Sequence, residues 1–343
     1  MRKLIWLVVV AALPAPAAAH VRWFVPEGMR LLPPDLGLIF GWPTLAVAGA
    51  SLLLFLGLRQ LERLVGSPHW PNPDFLAYME PCATALLAVH TGISLVWFAY
   101  QRNLFVPQLL LPANLLGYFL VSLQLFVAFT FITGLFDRAG AVLLIVAFLL
   151  GFLVFPPLAM LDQIHYVGIA VALFVLGRTI PPEWVAQKLA WLPRYETGAV
   201  AALRILTGAA LVTAAFNEKL LAPELGRAFL AEYPHFNFMR SVFGLAWFTD
   251  DLFVTAAGIT EATIGVLLIT GVLTRVVILG MWVPFNLTVP LLPPVELLGH
   301  LPIFGIMYLL LLYGSGIPPR AAARLLEPAV KGEVEEARRR LSG

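Results

Sequence analysis

Nine apolar runs, each bounded by polar, proline or glycine positions, organise the chain: 36–58, 82–101, 113–133, 139–155, 158–177, 199–217, 252–270, 276–290 and 297–313. Apolar runs near bilayer length predict membrane-spanning helices. Two of them, 139–155 and 276–290, are short and proline-bounded, and each is expected to enter its neighbour through Pro156-Pro157 or Pro293-Pro294. A bundle tolerates such prolines because adjacent helices satisfy the freed backbone groups. The pattern predicts an all-α fold, a polytopic transmembrane helical bundle.

The same pattern is written twice. Shifting residues 84–109 forward by 116 carries Thr91-Gly92 onto Thr207-Gly208, Leu95-Val96 onto Leu211-Val212, Leu104 onto Leu220 and Pro107 onto Pro223. Shifting 124–177 forward by 137 carries Ile132-Thr133-Gly134 onto Ile269-Thr270-Gly271, Arg138 onto Arg275, Pro156-Pro157 onto Pro293-Pro294 and Gly168 onto Gly305. Glycine, proline and arginine markers held in register this far signal an internal repeat. Each copy contains four helices, so the two are expected to run in the same sense about an axis along the membrane normal.

The start of the chain reads as a signal peptide, residues 1–19. Arg2 and Lys3 form its charged start, Leu4 to Leu13 its apolar core and Ala17-Ala18-Ala19 a cleavage site. Cleavage would leave His20 as the mature N-terminus; an uncleaved first helix is the alternative. An exported segment with the first helix (20–73), a degenerate four-helix repeat (74–198), a complete one (199–314) and a cytoplasmic tail (315–343) follow. Loop charge sets the orientation. Arg59, Arg63, Arg138, Arg178, Lys188, Arg194, Arg275 and the tail from Arg320 to Arg340 fall on the inner side, with fewer basic residues outside, among them Arg102, Lys219, Arg227 and Arg240. The mature N-terminus is then outside and the C-terminus cytoplasmic. The outer segment 218–251 is the main insertion of copy two, and its aromatic residues suit an interfacial cap; a substrate lid is the sharper reading.

Composition agrees: 60% of residues are hydrophobic and 12% charged, which excludes an ordinary soluble domain. The net charge of +2 gives no indication of nucleic-acid binding. The single cysteine, Cys82, excludes an internal disulfide or a CxxC redox pair, and is expected to be a buried structural thiol.

Candidate chemistry concentrates in copy two. Arg204, Glu218, Lys219, Glu261, Glu296 and His300 lie in or at the edge of apolar runs. Ionisable groups there are costly unless paired or facing water, so each is a functional candidate. Their counterparts in copy one are Ala88, Arg102, Asn103, Gln124, Ala159 and Gln163, mostly uncharged, which makes that copy a scaffold. Estimated depth pairs Arg204 with Glu261, as a structural ion pair or as a proton or anion site. Glu296 and His300, at i and i+4, share a helix face and suit either proton movement or helix orientation. Asp162 and His165 form a similar i, i+3 pair in copy one, and His90 stands alone in the second run. No metal cluster, phosphate loop or catalytic triad spacing appears. His20 is a weak copper candidate, with His235 as a second ligand; an aromatic anchor is the other reading of the 20–24 segment.

The sequence of Arg204 and Gly208, Lys219-Leu220, Glu261 and Gly265, the turn Gly271-Val272-Leu273-Thr274-Arg275 and the late His300 resembles the DoxX family of small four-helix bacterial membrane proteins. Residues 199–314 resemble a complete unit and 84–177 a degenerate one. The resemblance implies the bacterial cytoplasmic membrane and a setting in thiosulfate:quinone oxidoreduction, membrane redox-stress complexes or maturation of periplasmic redox enzymes. The missing cysteine pair argues against a thiol–disulfide version of these roles.

Three functions follow. One is a subunit or accessory of a membrane redox system that binds a quinone, beside a membrane or periplasmic redox protein partner. Another is a non-enzymatic scaffold or assembly factor holding an exported partner through the 218–251 cap. The third is a metal-handling or transport protein. The sequence assigns no enzymatic reaction.

Overall fold

The computed structural model describes residues 21–24, 37, 40–65, 73–178 and 183–316. The expected signal peptide, His20 and the expected cytoplasmic tail beyond 316 therefore lie outside the described residues. A 3₁₀ turn, Val21–Phe24, precedes α1 (Trp42–Val65), α2 (Pro73–Tyr100), α3 (Leu115–Thr133), α4 (Asp137–Gly151), α5 (Pro157–Leu161) and α6 (His165–Leu176). The short α7 (Glu183–Lys188) leads to α8 (Glu196–Ala215), which runs on into a π-helical turn, Phe216–Leu220. Then come α9 (Pro223–Glu232), α10 (Phe238–Ser241), α11 (Asp250–Thr270), α12 (Thr274–Thr288) and α13 (Pro294–Tyr313). Among the described residues there is no strand; the nearest thing is an isolated bridge between Asn103 and Leu110.

Each of the nine expected runs is helical where it is described, and among the described residues six helical segments are long and apolar enough to cross a membrane. Large apolar side chains such as Leu53, Phe119, Phe129 and Leu149 lie exposed on the bundle's outer faces. This is an integral, multi-pass membrane protein in contact with the lipid bilayer. The 158–177 run departs from expectation by breaking in two. The backbone tightens to i→i+3 hydrogen bonds at Gln163, Ile164 and Tyr166, where its counterpart α13 is continuous. Cys82 also departs: it is exposed, on a stripe of α2 shared with Ile93, Val96 and Tyr100. Those positions repeat near the helical period on the face that neither α3 nor α13 covers.

Eight helices pack in a closed order. α2 packs on α3, α3 on α4, α4 on α6, α6 on α8, α8 on α11, α11 on α12, α12 on α13, and α13 back on α2. α1 stands outside on α11, and its Glu62 Oε1 accepts from Leu273 N at 3.0 Å.

The repeat markers make matching contacts. A Cβ on Gly168 would lie 3.0 Å from Leu203 Cα, and one on Gly305 would lie 2.8 Å from Leu87 Cα. Each copy's last helix thus lies against the other copy's first, at positions related by the two shifts. Gly92 packs on Ala128 O and Ile132 as Gly208 packs on Gly265 O and Ile269. Helices α3 and α11 end on left-handed glycines, Gly134 (φ 79°) and Gly271 (φ 77°), as glycine allows at a C-cap. Two residues on, Phe136 (φ 58°) and Leu273 (φ 44°) repeat the turn. Arg138 Nε donates to Phe174 O at 3.0 Å and Arg275 Nε to Leu311 O at 2.9 Å. These are the contacts of two copies running in the same sense.

Candidate functional site

The π turn at the end of α8 places Glu218 and Lys219 inside the bundle, 0% and 3% exposed. Extra-wide turns of this kind recur at functional sites. Lys219 sits near the C-terminus of its helix. Helical side chains lean toward the N-terminus, so its stem points back along α8. Gly258 makes room for it on α11, since a Cβ there would lie 3.0 Å from Lys219 Cβ and 2.9 Å from Leu220. The ammonium then donates to Glu261 Oε2 at 2.7 Å. Glu218 and Glu296 lie within coulombic reach of the same ammonium.

On α13, Glu296 (0% exposed) and His300 (2%) do share a face. His300 Nδ1 lies 2.9 Å from Glu296 O and 3.4 Å from Glu296 Oε1. The imidazole is walled by Phe285 on one side and Trp23 on the other, each with its ring centroid 4.9 Å away. The structure thus brings together five of the six copy-two candidates: Glu218, Lys219, Glu261, Glu296 and His300.

Arg204 is the sixth, and the expected Arg204–Glu261 pair is corrected: Glu261 pairs with Lys219. Arg204 Nη1 donates instead to Leu268 O and to Ile269 O, the latter at 2.8 Å, and so caps the C-terminus of α11. The reason is directional. Arg204 lies early in α8, and its side chain leans toward the helix N-terminus, away from Glu261. Free carbonyls at a helix end also favour a cation. Copy one does the same job with a different residue: Arg178 donates to Phe131 O at 2.5 Å and Ile132 O at 3.3 Å, the carbonyls matching Leu268 and Ile269. Arg204→Ala should therefore cost about 1–2 kcal/mol of stability, read by unfolding titration in detergent micelles, with the Lys219–Glu261 pair left intact.

At the position of the pair, copy one is neutral. Gln124 Nε2 donates to Leu95 O at 3.0 Å and Asn103 O at 3.1 Å, and Phe105 N donates to Gln124 Oε1 at 3.1 Å. The amide is saturated by backbone. Asp162 accepts from Asn217 Nδ2 at 2.9 Å, tying copy one to the π turn, while the His165 ring lies 4.5 Å from Tyr166. His90 is partly buried, and its Nδ1 has no hydrogen-bond partner among the described residues. Among the described residues no three His, Cys, Asp or Glu side chains group as for a metal. His235, exposed, stacks near Phe236 at 4.7 Å in the cap.

A small pocket of about 20 Å³ adjoins the pair, lined by Lys219, Gly226, Phe229, Leu230, Phe253, Val254 and Ala257. Apart from Lys219 its lining residues are apolar. The α9 helix that roofs it, the role of Asn217 and the Trp23 contact were not read from the sequence. The π turn carries no local signature that would have indicated them. Comparison with known protein families, curated proteins and solved structures finds no match.

Proposed function

We propose that the protein binds the head group of a membrane quinone in the pocket beneath α9, as a subunit or accessory of a redox system of the bacterial cytoplasmic membrane. The observation that carries this reading is Lys219, its ammonium held by Glu261 at 2.7 Å, as the ionisable residue lining an otherwise apolar pocket. Ligand sites combine apolar walls with a few placed polar groups. The space beside Lys219 is about 20 Å³, room for about one water molecule, so a quinone ring enters only as Phe229 and Phe253 part, with its isoprenoid tail left in lipid. The DoxX resemblance supplies the redox setting, and the cap lies outward by the loop-charge argument.

In this reading Lys219 donates to a quinone carbonyl. When a quinol gives two electrons to a redox-protein partner, its two hydroxyl protons must also leave. Glu261 accepts them one after the other, and Glu296 and His300 carry them on. Buried carboxylates and imidazole are suited to such transfer.

Protein purified in mild detergent from bacterial membranes should carry extractable quinone, and Lys219→Met should lose most of it. Wild-type protein without quinone, or a variant retaining as much as wild type, would overturn the reading. A second reading, an assembly role, is favoured by the loop of residues 238–249. Asn237 braces it through Phe248 O and Asp250 Oδ1, and it exposes Val242, Phe243 and Trp247. Deleting residues 239–247 should then release a co-purifying exported partner while quinone stays bound.

A further inference from the structure

The Val21–Phe24 turn touches both parts of the proposed site at once. The Trp23 indole lies on Gly299, where any Cβ would strike it, and its ring centroid is 4.9 Å from that of His300. The adjacent Phe24 ring is 5.7 Å from Phe229 and 6.0 Å from Tyr233. Phe229 is a wall of the pocket. Four residues therefore bridge the start of α13 and the roof helix α9, with Trp23 joining the main apolar core and Phe24 the cap core. An indole pressed on a histidine at a glycine is a fitted contact.

Toward the opposite face, two of the helices that hold the site meet backbone to backbone. A Cβ on Gly265, one turn from Glu261, would lie 2.6 Å from Gly208 O, so α8 and α11 touch there without room for water. The polar groups above that contact are Lys219, Glu218, Glu261, Glu296 and His300, all buried.

We infer that the Val21–Phe24 turn is the cover of this site: Trp23 seals His300 and Glu296 from the aqueous phase on the cap side, and protons reach Glu261 from that side alone, when the turn lifts. The inference deepens the quinone reading and takes its proton chemistry from it, but access to the carboxyl groups is measurable with no quinone present. Such local opening is the low-energy motion expected of a short segment whose ring contacts come from Trp23 and Phe24.

The test is amidation of the full-length protein in detergent by a water-soluble carbodiimide with methylamine, read residue by residue by peptide mass spectrometry. In wild type, exposed Glu232 should react and Glu296 should resist. Trp23→Ala should raise Glu296 labelling about tenfold, with Glu232 unchanged, because opening no longer breaks the indole contact; Trp23→Phe should stay near wild type. Asp137, buried at the opposite end of the bundle, reports the fold and should resist throughout. If Trp23→Ala labels Asp137 too, the fold is lost, and Trp23→Leu is read by the same criterion. Glu296 labelled as readily as Glu232 in wild type, or unchanged by opening the cover, overturns the inference. Labelling that responds to Trp23 in protein that never retains quinone would keep the cover and sink the quinone reading; the converse result would do the opposite.

Discussion

Lys219→Met should destabilise the protein by about 3–5 kcal/mol, because it leaves Glu261 buried without its cation. Glu261→Gln should cost less, about 1–2 kcal/mol by the weaker hydrogen bonding and electrostatics that it removes. The asymmetry follows from the neighbours: Lys219 keeps Glu218 and Glu296 within coulombic reach when Glu261 is neutralised, whereas Glu261 loses the cation it is bonded to. The double variant should recover part of the loss, since directly bonded residues are strongly non-additive. It replaces the pair itself by uncharged side chains, as at Asn103 and Gln124 in copy one, while Glu218 and Glu296 stay without the Lys219 cation. Unfolding titrations in mixed micelles measure all three. A loss under about 1 kcal/mol for Lys219→Met would be that of an exposed pair, and would contradict the burial described here.

Gly265→Leu should be comparably damaging, at about 3 kcal/mol, and should abolish quinone retention as well. Its Cβ would meet Gly208 O at 2.6 Å and Val212 N at 3.1 Å, both backbone atoms that cannot rotate away. The helices must separate, at the cost of overpacking, and Glu261 moves with its helix one turn away. Small residues allow such close approach between membrane helices. Gly198→Ala, with nothing within 4 Å of the new Cβ, should stay within about 0.5 kcal/mol of wild type. Equal effects of the two substitutions, read by the same titration, would remove the basis for calling this contact a seal.

The helices and the repeat were legible in the sequence for physical reasons. Bilayer-length apolar runs leave few alternatives to helix. Gly92, Gly168, Gly208 and Gly305 were readable because each sits where another helix touches backbone, a constraint that fixes residue type whatever surrounds it. The concentration of ionisable residues in copy two was readable as composition, and five of those six residues meet. Who pairs with whom was not readable. Counting residues puts Arg204 and Glu261 about a turn and a half apart in depth, within reach of a long arginine, but ignores the lean of side chains toward the helix N-terminus, which separates Arg204 from Glu261 and carries Lys219 inward. The π turn compounds this, since a helical wheel with a fixed period misplaces residues 216–220. Trp23 was beyond reach for another reason. Its contact with His300 spans most of the chain, and from the sequence the Trp23-Phe24 pair reads as an interfacial anchor. Cys82 was misjudged because in lipid an apolar helix has no face that composition alone marks as outward.

Quinone content of the Lys219→Met, Glu261→Gln double variant tests the assignment of the site most directly. The variant removes both partners of the ion pair, so less stability is lost than in Lys219→Met. The expected result is an unfolding midpoint above that of Lys219→Met and the loss of nearly all bound quinone on solvent extraction. A double variant that keeps both its stability and the wild-type quinone stoichiometry would show that Lys219 and Glu261 only fasten α8 to α11, and would contradict the account.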